Sequence, residues 1–349
     1  MAVTITDVAR AVGVSPSTVS RALSRPERVD ADTRAAIMLQ IERLGYRPNR
    51  AARSLITGRT GNLGVVVPDL ANPFFPDVVK AVQARAHQRG LTTQLADSAE
   101  DPATERQLVV GLAEQVDGVV LCGSSLADDQ LRELAEFTPL VLINRDVPGV
   151  ASVLVDNAGG ARQATRHLRA LGHRRVGYVG GPPSSRSHRQ RRAGAEAAAG
   201  DFALELVDLG DFAPSFEGGM AAADSVLLAE VTAVLSYNDV IAIGLLHRLA
   251  AYGVSVPGQV SVVGFDDISL AAMAYPALTT VRFPRSAAGR LAVDRLQDLL
   301  AAPDALFTES DQERSDQERS DQERPMPTEL VVRQSTGRPH RTTDQGAPL

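Results

Sequence analysis

The stretch from Thr4 to Leu23, TITDVARAVGVSPSTVSRAL, constrains the fold of this chain more than any other segment. Thr4 is followed three residues later by Asp7, a capping-box pattern in which both side chains satisfy backbone N–H groups at a helix start. Gly13 then allows the chain to turn sharply at positive φ. Between them, apolar residues recur at helical spacing: Val8, Ala9 and Val12. The pattern predicts a short helix that ends in a tight turn.

A second short helix is predicted directly after this turn. Ser15 is a suitable N-cap, and Pro16 occupies the first helical position, where a missing N–H costs nothing. Two short helices with a Gly-containing turn and a polar, Arg-bearing outer face are typical of a helix-turn-helix that enters DNA. An ordinary helical hairpin with a solvated face is the alternative. We expect Val19 and Leu23 to point inward and Ser17, Ser20 and Arg21 to point outward.

Charge is distributed unevenly along the chain. The net charge is −6, but residues 1–60 contain ten Arg and five acidic residues, which gives +5 and leaves −11 for the remainder. A basic head on an acidic body is typical of a DNA-binding domain joined to a domain that does not bind DNA. Since there is no apolar run of about 18 residues and no signal-peptide pattern, we expect a soluble cytoplasmic protein. The single Cys122 lies in the apolar run DGVVLCG and is expected to be a buried small hydrophobe.

The head continues with a third predicted helix and a short following segment. Asp30 is a plausible N-cap, and Gly45 is expected to end the helix. Pro48 then breaks the chain, and residues 50–56 could form about two helical turns, which are marginal alone in water. The inward-facing stripe of the third helix is Ile37, Ile41 and Leu44.

From Asn62 onward, apolar runs alternate with amphipathic segments, which indicates parallel sheets covered on both faces. Ten such strands are many for one sheet, so we predict an α/β core of two doubly wound lobes, with ligands bound beyond the carboxyl ends of the strands. The strands are expected at 63–69, 92–98, 118–123, 140–145, 152–156, 175–181, 204–210, 233–239, 260–267 and 278–283. The helices are expected near 75–89, 103–115, 128–136, 158–171, 189–199, 216–229, 239–252 and 285–301.

Near the end of the chain, SDQER occurs three times between Ser310 and Arg324. This charged segment has no apolar face, so a solvated loop is expected. A further strand is predicted at 328–336. The histidines show no HExxH or other metal-ligand spacing, and no GxSxG or GxxxxGK[ST] motif occurs. The sequence therefore predicts no enzyme, no metal site and no cofactor.

Taken together, these motifs resemble the lac repressor (LacI/GalR) family of bacterial transcription regulators from Thr4 to Thr336. The resemblance rests on their order and spacing. They are TITDVARAVGVSPSTVSRAL, LGYRPNRAARSL, NPFF, DGVVLCG, VDN, LGHRRVGYVGG, RQRRAG, SYND, VPGQVSVVGFDD and PALTTVRFP.

The resemblance implies a domain organisation. Residues 1–47 would form an all-α helix-turn-helix domain, 48–60 a hinge helix and linker, and 61–339 a core similar to periplasmic sugar-binding proteins. The N-lobe would comprise about 61–156 and 285–301, and the C-lobe about 157–281 and 328–336, with three crossings between them. The segment 308–325 would be an insert, and 340–349 a disordered tail.

The family's DNA-contacting positions fall on the helix that begins at Ser15 and on the hinge. Pro16, Ser17 and Arg21 match the base-reading positions, and an arginine can contact guanine in a bidentate manner. Leu55 matches the leucine wedge that is inserted between base steps, with Asn49 and Ala52 beside it; a flexible linker with an incidental leucine is the alternative. Positions expected to contact phosphate or to cap the helix are Ser15, Thr18 and Ser20.

The family's ligand-contact pattern falls best on Arg191, Asn238 and Asp266, whose donors and acceptors suit a polyhydroxylated ligand. A structural ion pair is the alternative for Arg191 and Asp266. Phe74 and Phe75 would supply an apolar platform, unless they are ordinary core residues. The basic run SSRSHRQRR makes an anionic or phosphorylated ligand worth considering, although surface arginines are the simpler explanation. Further candidates are Asn144, Arg145, Ser185 and Ser187.

The function implied is a ligand-responsive repressor that binds a palindromic operator as a homodimer and takes a sugar-like effector. No leucine heptad follows Thr336, so a dimer is expected and not a tetramer. A transport-type binding protein would have no use for residues 1–58, and a chromatin-type protein would have no use for a two-lobed cleft. The presence of both parts in one chain favours the regulator.

Overall fold

The computed structural model describes residues 3–46, 58–301 and 324–339. The chain divides into two compact units, residues 1–60 and 61–349, which are described separately. The hinge segment and most of the SDQER insert lie outside the described residues. So does the tail from residue 340.

The described part of the N-terminal unit contains three α-helices and a short 3₁₀ turn at Pro26–Arg28. The helices are α1 (Ile5–Val12), α2 (Pro16–Ser24) and α3 (Ala31–Leu44). They enclose a small core whose buried members are Val8, Ala9, Val19, Ala22, Ile37 and Tyr46. Ile41 and Leu44 of α3 pack against this core from its edge, as predicted.

The predicted caps of these helices are confirmed. The Asp7 carboxylate accepts hydrogen bonds from the Thr4 N–H at 3.0 Å and from the Thr4 hydroxyl at 2.7 Å. Gly13 ends α1 with φ of 75°. Ser15 accepts from the Thr18 N–H at 3.2 Å, and Asp30 accepts from two N–H groups of α3. These bonds satisfy donors that a helix leaves open at its first turn.

The predicted packing of α2 is wrong at Leu23. We expected it to point inward with Val19, but 36% of Leu23 is exposed, whereas Ala22 is buried. Val19 and Ala22 are three residues apart and share the inner face, so Leu23 falls on its flank.

In the core unit, the residues that the structure describes form eleven strands in two sheets. The first is ordered β2-β1-β3-β4-β5 and is parallel throughout. Its strands are β1 (Asn62–Val67), β2 (Thr92–Asp97), β3 (Gly118–Cys122), β4 (Leu140–Ile143) and β5 (Ala151–Val153). Four helices accompany it: α4 (Phe74–Gln88), α5 (Pro102–Ala113), α6 (Asp128–Phe137) and α12 (Arg285–Ala301). We call this body the N-lobe.

The second sheet, with its helices, is called the C-lobe. It is ordered β11-β10-β9-β8-β6-β7, and only β11 runs antiparallel. Its strands are β6 (Arg175–Gly180), β7 (Glu205–Asp211), β8 (Ala233–Ser236), β9 (Ser261–Asp266), β10 (Thr279–Arg282) and β11 (Glu329–Val331). Its helices are α7 (Asn157–Leu171), α8 (Arg186–Asp201), α9 (Phe216–Leu228), α10 (Asp239–Ala251) and α11 (Ser269–Met273).

All eleven strands and eight core helices predicted from the sequence are present, so the two doubly wound lobes are confirmed. Only the short α11 was missed in the described core. The central strands are buried along their whole length, as their continuous apolar runs require. Cys122 is buried at the end of β3.

Two of the segments that connect the lobes pair with each other. The Met326 N–H donates to the Leu154 carbonyl at 2.9 Å, and the Asp156 N–H donates to the Met326 carbonyl at the same distance. The chain thus leaves the N-lobe and re-enters the C-lobe along adjacent strand-like segments. Among the described helices, none has the length and apolarity needed to cross a membrane.

Candidate functional site

A cavity of about 150 Å³ lies between the N-lobe and the C-lobe, at the carboxyl ends of their strands. Polar residues in parallel sheets collect at this edge because the chain leaves each strand there. The lining residues that follow or end strands are Pro68 (β1), Cys122, Gly123 and Ser125 (β3), Ile143 and Asn144 (β4), Pro182 (β6), Tyr237 and Asn238 (β8) and Asp266 (β9).

Arg191 is the central cation of this cavity. Its guanidinium donates to the Asn157 side-chain oxygen at 3.1 Å and to the Tyr237 carbonyl at 2.6 Å. It also forms an ion pair with Asp266 at 3.1 Å. The group stacks on the Phe265 ring, 3.7 Å from its centroid. Because all these partners lie in the C-lobe, Arg191 is held rigidly before any ligand arrives.

Asp266 ends β9 with φ of 116°, which turns its side chain into the cavity lining. Burial raises the pKa of this carboxyl, and the positive charges of Arg191 and Arg285 oppose the shift. Arg285 donates to the backbone carbonyls of Asp266 and Asp267, and its Nε lies 3.3 Å from Asp77 of α4. Arg285 therefore connects the Asp266 turn to the N-lobe.

Asn238 caps the first turn of α10 while lining the cavity. Its side-chain oxygen accepts from the Ile241 N–H at 2.9 Å, and only 2% of the residue is exposed. An N-cap oxygen committed to the helix fixes the amide, which leaves its NH₂ group to donate.

Phe74 and Phe75 form the apolar wall on the N-lobe side. Their rings contact edge to face, with centroids 5.0 Å apart. Phe74 also contacts Phe283 edge to face at 4.9 Å and is 8% exposed. Phe74 belongs to the hydrophobic core, and both phenylalanines also line the cavity. The two alternatives considered for these residues, core and apolar platform, are therefore compatible.

Ser185 and Ser187 lie at the start of α8 and meet the Tyr237 hydroxyl at 3.1 Å and 3.4 Å. Asn144 accepts a hydrogen bond from the Asn157 amide at 2.7 Å across the lobes. All three predicted residues line the cavity. Tyr237 and Asn157 were not predicted, because their roles depend on contacts between distant parts of the chain.

Arg145 is the one predicted effector residue that the structure does not bring to the cavity lining. Its guanidinium donates to the Leu126 carbonyl at 2.9 Å and to Asp128 at 2.7 Å. Both partners belong to the N-lobe, so Arg145 ties the start of α6 to the end of β4.

Two carboxylates in the lining, Glu100 and Glu105, were not predicted. Glu105 is buried and accepts from the Ser124 hydroxyl and from the Ser125 N–H. Burial raises the pKa of Glu105, and the hydrogen bonds from Ser124 and Ser125 partly oppose this shift. Burial and the nearby Asp69 charge also raise the pKa of Glu100. The N-lobe side of the cavity is therefore acidic.

Two arginines of the basic run at the start of α8 form ion pairs with carboxylates outside the cavity lining. Arg186 pairs with Asp146 at 2.9 Å, and Arg192 pairs with Asp208 at 2.7 Å and Glu196 at 2.9 Å. Arg189 donates to the carbonyls of residues 183 and 184. Of these arginines, only Arg191 lines the cavity.

On the N-terminal unit, α2 presents an exposed polar surface. Ser15, Pro16, Ser17 and Arg21 are exposed, while Thr18 and Ser20 are half-buried. The Arg21 Nε donates to the Ser17 carbonyl at 3.2 Å, which aligns the guanidinium along the helix. The predicted hinge residues lie outside the described residues: Asn49, Ala52 and Leu55.

Comparison with known proteins places these two units in one family. Residues 4–49 match bacterial regulatory proteins of the lacI family, and residues 165–336 match a periplasmic binding protein-like domain. The regulator GalS of Salmonella typhimurium is 37% identical over 300 residues, covering 84% of this chain and 88% of that protein. The chain belongs to the LacI family.

Solved structures agree with this assignment. The lac repressor dimer bound to operator and the anti-inducer ONPF superposes with a TM-score of 0.82 at 27% identity, covering 97% of this chain and 100% of that one. The regulator CelR in complex with cellobiose has a TM-score of 0.66 at 31% identity, covering 95% and 99%. This LacI-family chain is therefore a DNA-binding transcription regulator with an effector-binding core, and its relatives are regulators and not enzymes.

Proposed function

We propose that this protein is a repressor whose affinity for a palindromic operator is set by a small polyhydroxylated ligand in the interlobe cavity. The observation that carries the proposal is the convergence of Arg191, Asn238 and Asp266 on one face of the cavity, opposite Phe74 and Phe75. Hydrogen-bonding groups facing an apolar wall suit the hydroxyl and C–H faces of a sugar. No cofactor or metal is part of this proposal.

The charge of the cavity supports an uncharged effector and not a phosphorylated one. Glu100, Glu105 and Asp266 line it, whereas Arg191, the only Arg or Lys among the described lining residues, is already paired. A phosphate would meet carboxylates at close range, and like charges repel strongly where water is excluded. Of the arginines that made an anionic ligand worth considering, Arg186 and Arg192 are paired with carboxylates outside the cavity lining.

A dimer is supported by the exposed apolar side chains of the segment after β9. Leu270, Met273 and Tyr275 are 44%, 76% and 95% exposed. Exposed apolar side chains close together in the sequence of a regulator core suit contact with a second copy of the chain. Sedimentation is expected to give twice the chain mass of 37.0 kDa, and Met273→Asp is expected to weaken the association.

DNA recognition is assigned to α2, with Ser17 and Arg21 reading bases and Pro16 offering only apolar contact. Ser15, Thr18 and Ser20 would contact phosphates. The hinge residues Asn49, Ala52 and Leu55 remain predictions from the sequence. Selection from a random duplex pool is expected to recover a palindrome with two half-sites, and enrichment of single unpaired sites would contradict the dimeric reader.

The effector is tested by a thermal-shift panel on the full chain. D-Ribose, D-galactose and cellobiose represent neutral ligands, and D-glucose 6-phosphate is the charged counterpart. A ligand at about 100 times its Kd stabilises the folded state by about 2.7 kcal/mol. We expect neutral sugars alone to raise the melting temperature and to release the selected duplex. Stabilisation by the phosphate alone would contradict the assigned ligand class.

A further inference from the structure

The first turn of α8 carries a buried histidine, His188, directly behind the cavity wall. Only 3% of the residue is exposed. Its backbone N–H donates to the Ser185 hydroxyl at 3.2 Å. Because Ser185 and Ser187 line the cavity, His188 is bonded directly to a residue of the cavity wall.

One backbone hydrogen bond fixes the tautomer of the His188 ring, and a carboxylate lies near its other nitrogen. The Gly181 N–H points at Nδ1 from 3.1 Å. A backbone N–H can only donate, so Nδ1 must carry a lone pair and the ring proton must sit on Nε2. Nε2 lies 3.3 Å from the Asp211 carboxylate. The neutral ring thus lies between the 181–185 loop and the end of β7.

Close packing restricts the position of the His188 ring. A β-carbon on Gly180 would lie 2.8 Å from the ring carbon Cε1 of His188 and 2.1 Å from the Asp211 carboxylate. A shift of register in the β6–β7 pairing sets Asp211 opposite Gly180. The backbone therefore approaches the ring as closely as glycine allows, and the ring is held between the loop and the carboxylate.

Acidic, basic and tyrosyl side chains surround His188. The C-terminal part of β7 contributes Asp208 and Asp211, α8 contributes Arg189 and Arg192, and the rings of Tyr178 and Tyr237 flank the imidazole at 5.9 Å. Burial lowers the pKa of His188. Asp211 and Asp208 oppose the shift, and the two arginines add to it.

We propose that His188 is a pH-responsive positioning residue whose neutral ring holds the 181–185 loop against the effector cavity and whose protonation releases that loop. A proton on Nδ1 would set two donors against each other and break the bond from Gly181. The response of the loop to protonation does not depend on the proposed function. Its consequence, weaker effector binding at low pH, rests on the proposed function.

The sign of the pH effect follows from the direction of the shift. The folded state holds the ring neutral, so His188 contributes stability in full above its ordinary value of 6.5. That contribution is lost as the pH falls through 6.5 to the lower folded-state value, because the unfolded chain then binds the proton more readily.

The experiment follows the imidazole nitrogens and the Gly181 amide of the full chain by NMR between about pH 8 and about pH 5. We expect the Nε2–H tautomer, a midpoint below the ordinary value, and a Gly181 signal that moves with the same midpoint. Exchange of the Gly181 amide, corrected for its intrinsic rate, is expected to rise by about tenfold or more on protonation.

Two variants and one control sharpen the result. In His188→Asn the side-chain oxygen can still accept from Gly181 but cannot titrate, so the pH response of Gly181 should vanish. Asp211→Asn removes the opposing negative charge and should lower the midpoint further. His247→Asn, at an exposed position of α10, should behave as the wild type.

An Nδ1–H tautomer in the wild type would overturn the proposal. So would a Gly181 amide that stays still while the ring titrates, or a pH response that persists in His188→Asn. None of these measurements needs an effector or DNA, so their failure leaves the proposed regulator intact. Failure of the sugar panel, in turn, leaves the His188 result intact.

Discussion

At the scale of single residues, the buried ion pair between Arg191 and Asp266 is where a substitution is expected to destabilise the fold strongly. Both side chains are buried, with exposed fractions of 5% and 7%. Removing one partner of such a pair leaves an uncompensated charge, at a cost of about 3–5 kcal/mol. Arg191→Ala is therefore expected to lower the free energy of unfolding by about that amount and to abolish effector binding, as measured by urea unfolding and by thermal shift.

A double variant separates stability from binding. Adding Asp266→Asn to Arg191→Ala removes the orphaned charge, so much of the stability should return while effector binding stays lost. The control is Arg162→Ala, which breaks a half-exposed pair with Asp201. It should cost no more than about 1 kcal/mol. If Arg191→Ala cost as little as this control, the buried pair would not stabilise the lobe.

Arg21 is the residue on which sequence discrimination should depend. It is exposed and aligned on α2 by the Ser17 carbonyl. Arg21→Ala is expected to cost about 1–3 kcal/mol at one base pair of each half-site, because a bidentate contact to guanine would be lost. Competition binding against duplexes mutated one pair at a time measures this loss. Equal weakening on all sequences would make Arg21 a phosphate contact.

Asn238 and Asp266 are predicted cavity residues whose position along the chain already places them there. Asn238 follows a buried strand and Asp266 ends one, so the parallel topology brings both to one edge. Glu105 and Asn157 were missed because they act through Ser124 and Arg191, 19 and 34 residues away. No local pattern records contacts over such separations.

At the scale of elements, apolar periodicity predicted all strands but set several ends too late. The predicted β8 extended to 239, whereas the strand ends at Ser236 and the polar residues after it turn toward the cavity. The short α11 was missed because five residues carry too little periodicity to identify a helix. Tertiary contacts at the strand ends, and not propensity, decide these boundaries.

Helices α9 and α10 pack backbone to backbone through glycines. A β-carbon on Gly244 would lie 2.0 Å from the Phe216 carbonyl oxygen. Because backbone cannot yield as a flexible side chain would, Gly244→Ala is expected to lower the free energy of unfolding by about 1–3 kcal/mol or more. Gly111→Ala, in α5 with nothing within 4 Å of the added carbon, should instead stabilise by up to about 1 kcal/mol. Parallel urea titrations would contradict this account if both variants moved in the same direction.

At the scale of the whole core, polar contacts link the lobes on both sides of the cavity. Arg186 pairs with Asp146 across the lobes, and Arg285 joins Asp77 of α4 to the turn at Asp266. A ligand held by Asp266 is therefore one contact away from an N-lobe helix. Effector binding and the relative position of the lobes share these groups, which is the physical basis for coupling.

Such coupling must be reciprocal. If a neutral sugar weakens operator binding by some factor, the operator must weaken sugar binding by the same factor, which is typically about 5–150-fold. Operator affinity measured by anisotropy with and without sugar gives one factor, and calorimetric sugar titration with and without the selected duplex gives the other. Asp266→Asn is the control, because this variant should not bind the sugar and its operator affinity should be the same with and without sugar. Unequal factors would point to a second binding event, and a sugar affinity unchanged by operator would remove the allosteric claim while leaving α2 as the DNA reader.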